Sequence, residues 1–164
     1  RTLMQDAQLS AMLWVALSDA VVTCWDSKFH HYAWRPQSAI AMADTDGNND
    51  TVADASWTPL GPVPPHPEYP AAHTCISSAV AETLAGVLGT RKVSFTFDAQ
   101  TVAPAVPART FANVDEMVAH SFMARIWGGQ HFRHALEDGW TIGRSVVSDG
   151  LAARYFHEDI GGVW

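Results

Sequence analysis

Lysine is nearly absent from this chain: there are two in 164 residues, Lys28 and Lys92. Charged residues amount to 16% of the total, and ten Lys plus Arg face seventeen Asp plus Glu, for a formal net charge of −7. A balance this acidic argues against a protein that holds a polyanion through bulk electrostatics, so nucleic acid is not an expected partner. Long hydrophobic runs are also lacking. The strongest, around Ala11 to Cys24, is interrupted by Ser18 and Asp19 and falls short of the roughly 20 residues of a membrane span, so the chain reads as soluble. The two cysteines, Cys24 and Cys75, form no CxxC motif and leave the redox compartment open. The start at Arg1 has no basic stretch followed by an apolar one, and the expectation is a processed product or a piece of a longer chain. No internal repeat or low-complexity tract is visible.

What is present reads as helices. From Thr2 to about Trp34 apolar residues recur every three to four positions without Gly or Pro, which predicts one long amphipathic helix. Asp44 to Pro67 holds Gly47, Gly61 and five prolines from Pro59 onward, and reads as an extended surface loop. His73 to Leu88 predicts a helix of small residues stopped by Gly89, and Val93 to Val106 allows a short hairpin. Asn113, with Glu116 three residues on, caps a helix to about Trp127, which Gly128 and Gly129 end before a last helix from His131 to Phe156. The fold class expected is all-α, a helical bundle in a single domain over 1–164. The seven tryptophans are expected in the core or over a site.

Three elements carry candidate chemistry. Lys28 and Arg35 lie seven apart, which on a continuous helix returns to nearly one face, and Pro36 follows at once. Two cations on one stripe form either a solvated face or an oxyanion site. Pro70, Ala71, Ala72 and His73 lead into a helix whose first turn offers free N–H groups to an anion. There His73 would be partly exposed and able to move a proton near neutral pH, although a histidine there, taken alone, is more often a capping or core residue. Arg125 and His131 would diverge on one helix, but the break at Gly128 and Gly129 lets both converge on one tetrahedral anion. Asp44, Asp46, Asn48 and Asp50 alternate as oxygen donors, yet Gly47 and Ala55 are misplaced for a calcium loop and a solvated turn is favoured. His30, His31, His120, His134 and His157 show no zinc-ligand spacing.

Taken in order, Lys28-x6-Arg35-Pro36, Pro70 to His73, and Arg125-x5-His131 resemble the three-part signature of vanadium-dependent haloperoxidases and type-2 phosphatidic acid phosphatases. The stretches YAWRPQSAI (Tyr32 to Ile40), HPEYPAAH (His66 to His73) and GGQHFRHALEDG (Gly128 to Gly139) resemble the soluble, haloperoxidase-like branch. The resemblance implies a vanadate or phosphate pocket in which Lys28, Arg35, Arg125 and the Ala72 region bind the anion's oxygens. His131 would ligate vanadium, His73 would handle protons, and the bound metal would act as a Lewis acid while hydrogen peroxide oxidises a halide. In the phosphatase alternative His131 would be the nucleophile of a phosphohistidine intermediate and His73 the general acid on a phosphate ester. The departures are Ala71 and Ala72 where the family has Ser-Gly, Ala124 for Ser, and Ala135 where phosphatases place the acid that orients the nucleophile, so another acceptor must hold His131. His66 matches a position that is histidine in bromide- and iodide-type enzymes, and Trp34 would wall the site. The resemblance further implies that the chain is the C-terminal catalytic part of a longer architecture, that an organic acceptor takes the oxidised halogen, and that secretion or a periplasmic location is favoured. A third reading is a noncatalytic subunit with a degenerate pocket, for which a second copy or a second chain would supply N-terminal helices.

Overall fold

The computed structural model describes residues 1–98 and 106–151. Helix α1 spans Leu3–His31, α2 spans Pro36–Ala41, α3 spans Ala72–Leu88, α4 spans Val114–Trp127 and α5 spans Arg133–Ser145. A 3-10 turn, Ala43–Thr45, follows α2, and a π-helical turn, Val146–Leu151, continues α5. Strands β1 (Phe95–Phe97) and β2 (Arg109–Phe111) form one antiparallel pair, with Thr96 opposite Thr110. The architecture is the expected helical bundle, in which α3 is the central helix and packs against α1, α4 and α5.

Small residues bring the helices close. Ala16, Ala20 and Cys24 on α1 meet Ala72, Cys75 and Ala79 on α3, all buried, with Val147 closing the cluster. On the other side of α3, Gly139 and Gly143 of α5 lie on the backbone at Ala71 and Cys75. A Cβ at Gly143 would collide with Cys75 O and Ser78 Oγ, and one at Gly139 with Ala71 O and, at 2.6 Å, Thr74 Oγ1. Ala71 N–H also donates to Ala135 O at 2.8 Å, which ties the entry of α3 to the start of α5.

Several boundaries differ from the sequence expectation. A Thr2–Gln5 capping box opens α1, which ends at His31 because Tyr32 turns left-handed (φ 49°) and donates to Lys28 O. Lys28 and Arg35 therefore share no helix face: Arg35 is the N-cap of α2, with Pro36 at its first position. The last helix starts at Arg133, which leaves His131 in the linker, and the 152–156 part of that expectation lies outside the described residues. The second strand comes after Val106, and part of the expected hairpin also lies outside the described residues. Asn113 caps α4 as predicted, accepting from Glu116 N at 2.8 Å. The long loop is exposed from Asp44 to Asp50, but its second half is built into the molecule. Leu60 N–H donates to Gly128 O at 3.1 Å, and Glu68 is wholly buried.

Helix α1 is apolar on two sides. Met12, Ala16, Ala20, Cys24 and Lys28 are buried on one, while Met4, Trp14, Val15, Val22 and Phe29 are exposed elsewhere around it. By length and composition the helix could cross a membrane, contrary to the estimate from its apolar run, but its buried side packs on α3 as a core helix does. The tryptophans also depart from expectation. Trp14, Trp34 and Trp127 are exposed, since each falls on a helix face or turn that no other described element covers.

Candidate anion pocket

Arg35, the N-cap of α2, is 5% exposed and nearly every guanidinium N–H has an assigned acceptor. Its Nε donates to His66 O at 3.1 Å, Nη1 to Gln130 O at 3.0 Å and to His131 Nε2 at 3.2 Å, and Nη2 meets His66 Nδ1 at 3.1 Å. One planar fork thus joins the loop before α3 to the linker before α5, a task for which a lysine point charge is the wrong shape. Gly129 makes the linker turn possible. It sits at φ 66°, and a Cβ there would stand 2.8 Å from the Trp57 ring.

His131 is buried between Glu68 and Arg35. Nδ1 lies 2.8 Å from Glu68 Oε1, which also accepts from Phe132 N at 2.9 Å. Because guanidinium can only donate, Nε2 is the acceptor from Arg35, and Nδ1 carries the proton that it donates to Glu68. Glu68 thus holds the tautomer that either metal ligation or nucleophilic attack requires, with the Nε2 lone pair occupied by Arg35 Nη1, which would have to release it for either role.

Arg35, His66, Ala72, His73, Arg125 and His131 together line one cavity of about 410 Å³, with the Ser77 and Ser121 hydroxyls also on its wall. The first turn of α3 contributes because its N-cap, Ala71, makes no side-chain hydrogen bond to the free N–H groups. Arg125 comes from the last turn of α4, and its buried Nε has no partner, an unpaired donor beside the cavity that an oxyanion oxygen would satisfy. Among the described residues no group of three or more His, Cys, Asp or Glu side chains could hold a metal ion, so the donor set suits an anion rather than a chelated divalent cation.

The electrostatics point the same way. Burial, with Arg35 and Lys28 adding to it, pushes His131 down to about 4 against the opposing pull of Glu68. Burial and the Arg125 and His131 neighbours push His73 down to about 4 as well, although its ring is open to the pocket mouth. His73 is therefore neutral at pH 7, rather than titrating near neutrality as expected from its helix-entry position. Burial lowers Arg35, Arg125 and His66 too. Positive charge here exceeds what the one buried carboxylate can balance.

Two expected residues are placed differently. Lys28 is wholly buried behind the wall, where Nζ donates to Pro67 O at 2.9 Å and Glu68 O at 3.0 Å, and burial lowers it to about 8. It holds the backbone of the His66 to His73 stretch and adds potential rather than contact. Trp34 is 51% exposed and off the cavity, since the turn at Tyr32 directs it outward. Trp25 takes that place, with its ring 5.1 Å from that of His66. Sequence reasoning also missed Glu68, the acceptor that substitutes for the acid absent at Ala135. The available signal was a single carboxylate within the Pro-rich HPEYPAAH stretch.

Residues 8–157 match the family model described as the VCPO second helical-bundle domain. Among solved structures, a bacterial vanadium-dependent iodoperoxidase aligns at 30% identity and TM-score 0.74, over 87% of this chain and 32% of that one. The holo form of a bacterial vanadium-dependent chloroperoxidase aligns at 21% identity and TM-score 0.65 over 82% of this chain, and the apo form at 21% and 0.61 over 77%. These last two establish likeness of fold. The chain spans about a third of the length of each of these proteins. A search of curated proteins finds no match.

Proposed function

Since this chain belongs to the vanadium haloperoxidase superfamily, we propose that it is the oxyanion-binding catalytic bundle of an enzyme that oxidises halide with hydrogen peroxide. The observation that carries this reading is His131, held in one tautomer between Glu68 and Arg35 on the wall of a cationic cavity that the unpaired Arg125 Nε borders. Vanadate fits this donor set: Arg35, Arg125 and the N–H groups of the first turn of α3 would hold its oxygens, Lys28 would add charge from behind, and His131 Nε2 would ligate the metal. Bound there, vanadium(V) supplies a Lewis acid that keeps its oxidation state.

The chain's own residues prepare the site. Glu68 fixes the His131 ring and Arg35 locks both loops around it, so the donors are positioned before anything binds. His73, exposed and neutral at pH 7, would be the group that takes up and returns a proton as hydrogen peroxide enters the site. The cavity has room beside a tetrahedral anion for a halide and for the approach of an organic acceptor. His66 on its wall, tied to Arg35, favours bromide or iodide by analogy with the family pattern. The chain would act as part of a longer protein.

The test is halogenation of a dione by the purified chain with hydrogen peroxide and bromide or iodide, before and after loading with orthovanadate. Activity that requires vanadate and disappears in His131→Ala supports the proposal. Phosphate release from an aryl phosphate, without halogenation, would replace it with the phosphatase reading, which the His131 tautomer with an unprotonated Nε2 also suits. Silence in both assays would leave the noncatalytic subunit.

A further inference from the structure

Cys24 and Cys75 are both wholly buried where α1 crosses α3, and neither has a role in the pocket chemistry. Cys75 Sγ lies 3.4 Å from Ala20 O, the carbonyl that receives the helical hydrogen bond from the Cys24 amide one turn on. Cys24 Sγ in turn sits 3.8 Å from Pro70 O, at the entry to α3, so each thiol donates to the backbone of the opposite element and the two sulfurs share one buried cluster. Around them are Ala16, Ala20, Ala72 and Ala79, so nothing bulky separates the two helices. The pair lies one layer behind the cavity: Trp25 follows Cys24, Ile76 follows Cys75, and both of these neighbours line the wall. Lys28 stands one helical turn beyond Cys24.

We infer that Cys24 and Cys75 form a reversible dithiol–disulfide pair that, when oxidised by a peroxide, cross-links α1 to α3 directly behind the pocket. Cys24 is the attacking sulfur, because the Lys28 ammonium one helical turn away on α1 favours its thiolate. The Cys24 thiolate attacks one oxygen of hydrogen peroxide and breaks the O–O bond, giving a sulfenic acid and hydroxide. Cys75 gives its proton to that hydroxide and its sulfur attacks the Cys24 sulfur, forming the S–S bond and expelling the sulfenic oxygen as hydroxide, which takes up the proton first released by Cys24. Two thiols and one peroxide become one disulfide and two waters. The cross-link closes a loop that contains α2 and the whole His66 to His73 stretch. The oxidised chain is thus held together at the backbone that positions Glu68 and His73.

The test uses the reduced chain, exposed to hydrogen peroxide, then unfolded, alkylated and weighed intact. The expected product has lost two hydrogens, takes up no alkyl group, remains monomeric on a nonreducing gel and regains two alkylatable thiols after phosphine. It also melts several degrees above the reduced chain, a rise that Cys75→Ala does not show. Two fully alkylated thiols after peroxide, a gain of oxygen atoms without loss of hydrogen, or a disulfide between chains would each overturn the inference. Because the readout is mass and thiol count, this result is independent of whether the chain halogenates.

Discussion

Replacing Glu68 with Gln isolates what the buried carboxylate does. The side chain is 1% exposed, and Oε1 accepts two hydrogen bonds, from His131 Nδ1 and Phe132 N. Gln keeps the shape and can still offer an oxygen, but each bond loses its charge, a loss of about 1 kcal/mol apiece given that charge-assisted bonds are roughly twice as strong. Lys28 and Arg35 also lose the buried counter-charge of Glu68, and unpairing a buried ion costs about 3–5 kcal/mol when nothing relaxes. Cavity water will screen part of this, so Glu68→Gln should lower unfolding stability by about 2–4 kcal/mol in urea titrations at pH 7. Anion binding discriminates further. Removal of a negative charge leaves phosphate affinity unchanged or improved, whereas vanadate needs an oriented imidazole and should bind about 10-fold or more weakly relative to phosphate. Calorimetric titration of both anions into both proteins gives that ratio. An unchanged ratio in a folded Glu68→Gln protein would refute the claim that Glu68 orients His131 for ligation.

The remaining predictions probe charge and packing. His131 and His73, both near 4 in the folded chain against about 6.5 unfolded, make stability fall as pH drops from about 6.5 to 4, with His131 contributing at most about 3 kcal/mol. Phosphate should shift that loss to lower pH, and denaturation midpoints across the range with and without phosphate check it. Lys28, lowered to about 8, loses its charge as pH rises past that value, so phosphate affinity should decline between pH 7 and 9 in the wild type and be uniformly weak in Lys28→Met. Arg35→Lys abandons at least three hydrogen bonds between the two loops and should cost about 2–4 kcal/mol together with measurable phosphate binding; retention of both would disprove the bridging role. Gly143→Ala drives a methyl into Cys75 O and should destabilise the chain by about 2–4 kcal/mol, whereas Gly61→Ala, in open space, should change stability by less than about 0.5 kcal/mol.

Local patterns carried the helices. The three-to-four spacing of α1, the Asn113 cap and the Gly128–Gly129 break all act over a few residues and were visible in the order of side chains. The convergence of Arg35, His73, Arg125 and His131 was legible only because three weak elements occur together in one order. Their distances depend on tertiary packing. The single-stripe argument for Lys28 and Arg35 failed because nothing in a periodicity marks Tyr32 as left-handed; both residues reach the site region by different routes, one behind the wall and one on it. Glu68 was missed for a related reason. Its partner lies 63 residues away, and in a Pro-rich stretch without period no local rule says whether a carboxylate faces water or an imidazole. Trp34 and Trp25 exchanged places through the same turn.

The close seat of α5 on α3 fixes a length. His73 stands on the first turn of α3, His131 lies two residues before α5, and the two helices meet at backbone level at Ala71, Ala135, Gly139 and Gly143, beside the Thr74 and Ser78 hydroxyls. The separation of the two histidine backbones is therefore gauged by peptide units in close contact, and it is isolated from whatever covers the exposed side of α1. Substitution of the outward-facing side chains, including Trp14, Trp34 and Trp127, can alter solubility and association while the interval between the His73 and His131 backbones stays the same.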